Sequence, residues 1–129
     1  MRIYCGSNTG VGAQLTAGAT SFSTFSDERL KQNIEPIENA LTSLSQLRTV
    51  KYHLKDADTS ESKKRLGLIA QDLVGVLDEV IELIPQAEDD NEYLSLRYTE
   101  IIPVLVKAIQ EQQATIEALT ERLTALENT

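Results

Sequence analysis

The chain has 129 residues, a formal net charge of −8, 41% hydrophobic residues, 5% aromatics and no tryptophan. That length suits one domain, or one small domain with a helical extension, and the scarcity of aromatics means a small aliphatic core. The acidic balance excludes a phosphate-binding groove, which needs clustered cations, so no nucleic-acid partner is expected. Cys5 is the only cysteine and His53 the only histidine. Neither an internal disulfide nor a structural zinc site is expected, and His53, inside Tyr-His-Leu, reads as packed and not catalytic. No apolar run approaches the roughly 20 residues of a membrane span, and no charged-then-apolar signal peptide opens the chain. Metal, cofactor and membrane contact are all expected to be absent.

In chain order, residues 1–25 hold most of the glycines and a single charge, Arg2. Val11, Ala13, Leu15 and Ala17 alternate with smaller or polar residues, a weak period-two signal for short extended strands. This segment reads as the C-terminal end of a β-rich stalk belonging to a longer chain, with a flexible linker as the less favoured alternative. Residues 26–97 read as an α+β unit. Asp27 and Glu28, after Ser26, place acids at the positive end of a short helix that Pro36 stops. Ile37, Leu41, Leu44 and Leu47 recur at helical spacing, predicting an amphipathic helix over 37–48. Val50, Tyr52 and Leu54 alternate as in a strand. Lys55–Lys64 is a polar loop. Leu66–Leu77, with Gly67 and Gly75 as breaks, reads as a short strand running into a short helix from Ala70. A β-branched run at 80–84 and Tyr93, Leu94 and Leu96 predict a second strand pair around the acidic loop 86–92.

Residues 98–129 carry the clearest periodicity. Ile102, Ile109, Ile116 and Leu123 fall at heptad position a, and Leu105, Gln112, Leu119 and Leu126 at d. Pro103 lies in the first turn, where its missing N–H is cheap. This is the pattern of a coiled-coil seam with one buried polar residue, Gln112, to set register. A helix folded wholly onto its own domain is the weaker alternative, because the last two heptads outrun so small a core. By the general rule, Ile at a with Leu at d favours two strands, and the seam alone does not yield three.

Ser26 and Lys31 are the residues with chemistry to offer. A neutral lysine can take the serine proton and release an alkoxide that attacks a carbonyl. An ordinary lysine, with a pKa of about 10.4, is only about 0.04% neutral at pH 7; lowering that to about 8 costs roughly 3 kcal/mol. Burial would supply such a shift, and Leu30 and Ile34 are the nearest apolar residues. Spacing alone speaks against the pair, since five residues are about 140° apart on a helix and on opposite faces of a strand. A dyad therefore needs a tight turn after Ser26 or groups donated across an oligomer interface. The alternative is a capping serine and a solvated lysine.

Ser26–Ile34, reading SDERLKQNI, resembles the signature of the C-terminal intramolecular chaperone domains of phage tailspikes, tail fibres and endosialidases. Three further blocks are similar to that family: GATSFSTF before Ser26, Arg65–Asp72 (RLGLIAQD), and Tyr93–Tyr98 (YLSLRY) leading into the long helix. The resemblance covers residues 18–126, with Phe22 where other members often carry Trp. It implies a homotrimer that guides an upstream β-stalk of the same polypeptide into register and then cuts itself off between Phe25 and Ser26. Ser26 would be the nucleophile and Lys31 the general base, with Asp27 and Arg29 orienting the turn or stabilising the oxyanion. The implied setting is a tail fibre or tailspike precursor made in the host cytoplasm, the chaperone fragment being released after the cut. Two other functions stay open: a trimerisation or tip domain that does not cut, and a Ser–Lys hydrolase acting in trans.

Overall fold

Antiparallel pairing joins all the strands among the residues described in the computed structural model, which are 2–4, 12–15, 17–55, 63–85 and 92–129. The chain divides into two units, Met1–Pro36 and Ile37–Thr129. In the first, β1 (Arg2–Tyr4), β2 (Gly12–Gln14) and β3 (Ser23–Thr24) form a three-stranded sheet in that order. Ala13 lies opposite Ile3 on one side and Thr24 on the other. Only β2 falls within the alternating stretch read from the sequence. β1 and β3 lie outside that stretch. Val11 and Cys5 lie outside the described residues.

The second unit carries the α+β core. Helix α1 spans Ala40–Leu44, far shorter than the predicted 37–48. Asn39 precedes it in the left-handed region (φ 54), which Asn tolerates, so the helix cannot run back to Ile37. At the other end, the Ser45 hydroxyl and the Gln46 amide both donate to the Thr42 carbonyl, at 2.7 and 3.2 Å. Side-chain bonds of this kind compete with helix propagation. Leu47, beyond the helix, still packs into the core.

Strand β4 (Thr49–Tyr52) pairs with β5 (Arg65–Leu68), Val50 opposite Gly67. The predicted strand through Leu54 stops at Tyr52, where its partner strand ends. Leu54 is consequently 51% exposed, and His53 is exposed as well instead of packed. Most of the polar loop lies outside the described residues. The predicted strand-to-helix passage is present, the helix being a 3-10 turn over Ala70–Leu73. Strands β6 (Ile81–Pro85) and β7 (Glu92–Leu96) form the predicted second pair, with Leu83 opposite Leu94. The acidic loop between them, from 86 to 91, lies outside the described residues.

Helix α2 (Ile101–Glu127) closes the chain, with Pro103 in its first turn as expected. Its stripe Ile101, Val104 and Ala108 is buried against two small clusters. One joins Val104 and Ala108 to Ala40, with Leu41 and Leu44; the other joins Ile101 to Leu73 and Val80. Leu77 packs against both clusters, and so holds the core together. The heptad seam is a different face. Its seven aliphatics, from Ile102 to Leu126, are 46–71% exposed, and Gln112 is exposed with them. The helix is therefore two-faced, packed on its own domain along one stripe and bare along the next.

Candidate active site

Ser26 and Lys31 meet. The Lys31 Nζ lies 2.8 Å from the Ser26 Oγ and donates a hydrogen bond to it. The contact is made by a single 3-10 turn, Glu28–Leu30, in place of the longer helix expected up to Pro36. Asp27, with extended backbone, caps it; the Asp27 carbonyl accepts from Leu30 N–H and the Glu28 carbonyl from Lys31 N–H, both at 3.0 Å. Lys31 then returns to extended backbone (φ −112, ψ 149). One tight turn inserted into extended chain overcomes the angular mismatch that a regular helix or strand would impose on residues five apart. The turn is kept to one cycle by Asn33, which lies in the left-handed region at φ 52.

The turn is clamped by Asp27 and Arg29. Asp27 Oδ1 accepts from the Arg29 backbone N–H at 2.9 Å and from Nε at 3.0 Å, while Oδ2 accepts from Nη2 at 2.7 Å. The Arg29 side chain, and then its backbone N–H, hold the Asp27 carboxyl below its ordinary value of 3.8; Asp27 in turn raises the guanidinium. Two side-chain N–H groups of Arg29, at Nε and Nη2, are thus engaged by Asp27 within the turn.

The site is open in the single chain. Ser26 and Lys31 are exposed, Phe25 is 40% exposed, and Leu30 and Ile34 are 60% and 64% exposed. The expectation that Leu30 and Ile34 bury the lysine fails here, since a one-turn helix has no face to tuck them under. Contact between serine and lysine is thus achieved within one chain, without groups donated by another.

Three contacts that sequence reasoning passed over hold the second unit together. Glu111 on α2 reaches across to the start of α1, its Oε1 accepting from Ala40 N–H at 3.0 Å and Oε2 from Leu41 N–H at 2.9 Å. It supplies the cap that Asn39 does not. The signal was present in the stripe Ile101, Val104, Ala108, Glu111, which runs at helical spacing beside the seam. The Tyr98 hydroxyl accepts from Leu68 N–H at 3.0 Å and closes the edge of β5. Arg48 forms a bidentate pair with Asp72, at 2.8 and 2.9 Å. Among the described residues no cluster of His, Cys, Asp or Glu is arranged to hold a metal ion, and no helix is long and apolar enough to cross a membrane.

Residues 26–82 match the family described as chaperone of endosialidase. Over 101 residues the chain is 34% identical to the long tail fiber protein Gp37 of Enterobacteria phage K3, which covers 76% of this chain and 8% of that protein. Over 97 residues it is 34% identical to the protein of the same name from Enterobacteria phage M1, covering 73% of this chain and 38% of that one. The chain therefore spans well under half the length of either relative.

Proposed function

We propose that the chain, whose residues 26–82 match the chaperone-of-endosialidase family, is the maturation clamp of a phage tail fibre. Three copies assemble through the α2 seam, bring the upstream β-stalk of the same polypeptide into register, and then detach by cutting between Phe25 and Ser26. Residues 1–25 are the end of the stalk, 26–97 the processing domain and 98–129 its coiled-coil helix. The tail-fibre names of the relatives support the setting, and with it a place in the virion for the released fibre.

The observation that carries the cut is the 2.8 Å contact between Lys31 Nζ and Ser26 Oγ at the first residue of the family match. With its ammonium deprotonated, Lys31 reverses that hydrogen bond and accepts the serine proton. The Ser26 oxygen then attacks the carbonyl carbon of Phe25. The Phe25–Ser26 C–N bond breaks as the nitrogen takes up a proton, leaving an ester on Oγ and a free amine at Ser26. Water hydrolyses the ester, giving the Phe25 carboxylate and restoring the hydroxyl. The event is in cis and single-turnover. Lys31 is solvated in one chain, so covering it on assembly would favour the neutral form and tie the cut to completed assembly. Loss of the clamp would then make stalk unfolding kinetically irreversible.

The test is intact mass on wild type, Ser26→Ala and Lys31→Ala. Wild type loses residues 1–25 and both variants stay whole; cleavage surviving in both variants would remove the dyad. A second reading keeps the clamp without the cut, and the exposure of both dyad residues favours it. A wild-type chain that oligomerises yet stays at 14.3 kDa would establish it.

A further inference from the structure

We propose that Phe25 selects and positions the scissile bond: its side chain, facing the one-turn helix beside the dyad, holds the carbonyl at the Ser26 oxygen, so that the cut requires a bulky apolar residue before the serine. The inference rests on the cleavage proposed above and goes beyond it by assigning the specificity of that site.

Two fixed points flank the bond. Upstream, Thr24 is the last residue of β3 and lies opposite Ala13, with Ser23 opposite Gln14. Downstream, the Ser26 Oγ is held by Lys31 Nζ at 2.8 Å, and Asp27 begins the 3-10 turn as its cap. Phe25 is the one residue between the ladder and the nucleophile. Its peptide bond to Ser26 is planar, so rotation about the Phe25 backbone decides where the carbonyl carbon stands relative to the Ser26 oxygen.

The Phe25 side chain is placed to restrain that rotation. Phe25, Asp27, Arg29 and Leu30 line one concavity of about 400 Å³. A ring that shares this concavity with Leu30 faces the turn, and Phe25 is accordingly less exposed, at 40%, than Phe22 at 55% or Leu30 at 60%. Asp27 and Arg29 are tied to each other through both carboxylate oxygens and give the concavity a fixed wall. The ring thereby couples the carbonyl to the same turn that brings the serine and lysine together. An alanine has no reach across this space, and an aspartate would set a second anion near Asp27. A leucine or a tyrosine keeps the apolar body.

Cleavage of the full chain, followed by intact mass over time after dilution from urea, provides the test. Phe25→Ala should slow it about ten- to a hundredfold and Phe25→Asp at least as much, while Phe25→Leu and Phe25→Tyr stay within about threefold of wild type. Leu30→Ala should slow the wild-type chain yet add little to Phe25→Ala, since both side chains form the same concavity. In the Ser26→Ala background, which keeps the chain whole, none of these changes should lower the urea midpoint, because neither residue belongs to the packed core of the second unit. Phe25→Ala cutting at the wild-type rate overturns the inference and leaves the cut standing. So does a slowed Phe25→Ala that Phe25→Leu fails to rescue, or one whose loss tracks a lowered urea midpoint. A wild-type chain that never cuts overturns both the inference and the cleavage reading beneath it.

Discussion

Gly67 is needed for space and not for backbone freedom, and that claim can be tested sharply. A Cβ at this position would stand 2.8 Å from the Tyr98 hydroxyl oxygen and 3.0 Å from Tyr52 Cε1. In Gly67→Ala the Tyr98 ring must swing away, which breaks its bond to Leu68 N–H, 3.0 Å long in the native fold. An exposed hydrogen bond of this kind contributes about 0.5–1 kcal/mol, and forcing the ring off its rotamer costs about another 1. Against this, alanine restricts the unfolded chain and returns about 0.4–1 kcal/mol. The net is a loss of about 1 kcal/mol. Tyr98→Phe alone should cost about 0.5–1 kcal/mol. In the double variant the clashing oxygen is gone and only the tight contact with Tyr52 Cε1 remains, so the alanine should cost less beside the phenylalanine than it does alone. The cycle should therefore show a coupling of about 1 kcal/mol, with the double less destabilised than the sum of the singles. Urea unfolding followed by circular dichroism at one fixed protein concentration measures it, with constant m-values as the check on comparability. Costs that add to within about 0.3 kcal/mol would refute the steric account.

Asp27 and Arg29 act as one clamp, so on the proposed reading Asp27→Ala and Arg29→Ala should each slow cleavage about ten- to a hundredfold, with the double no slower than the worse single. Mass spectrometry over time after dilution from urea follows the cut, and a deficit confined to Arg29→Ala would point instead to oxyanion binding. The pH dependence of folding has a definite sign. Hydrogen bonds from the Arg48 side chain hold Asp72 below 3.8, and bonds from Leu41 N–H and Ala40 N–H hold Glu111 below 4.5. A carboxyl lowered in the fold stabilises it above the ordinary value, and that contribution fades as pH falls through the lowered one. Urea midpoints should accordingly be insensitive to these two groups from about pH 5 to 8 and fall below about pH 4. Asp72→Asn should lose most against wild type at neutral pH and least in acid; a gap that widens in acid would contradict the assignment.

The parts of the fold that could be read from the sequence are those whose signal is local and periodic. Helix α2 follows from its heptads, and the β6–β7 pair from β-branched and aromatic runs on either side of an acidic turn. Where a tertiary group decides, pattern misleads. Ile37 to Leu47 has helical spacing, yet α1 begins only where Glu111, some seventy residues on, can cap it. Gly67 looks like a break in the sequence but sits inside β5, its lack of a side chain demanded by two tyrosines arriving from elsewhere. Of the leader's short strands, only β2 lies in a stretch with a periodic trace.

The candidate site shows the same division in miniature. Proximity of Ser26 and Lys31 depends on chain-local groups: a capping aspartate, an arginine two residues later, and one 3-10 turn. Those residues are all in the motif, although their spacing argues against the contact they make. Desolvation is a different requirement and is not met locally, since Leu30 and Ile34 stand open beside the lysine. A site that needed assembly to bring its residues together would be inert in one chain for geometric reasons. Here the Ser26–Lys31 contact is already made in the single chain and the site is uncovered, so on the proposed reading assembly would have to supply cover alone. That distinction is measurable. A chain kept unassembled by substitutions in the α2 seam should then still cut itself slowly. If disrupting the α2 seam abolishes cleavage at every pH, assembly must supply something beyond desolvation, such as a group or a strained conformation of the Phe25–Ser26 bond.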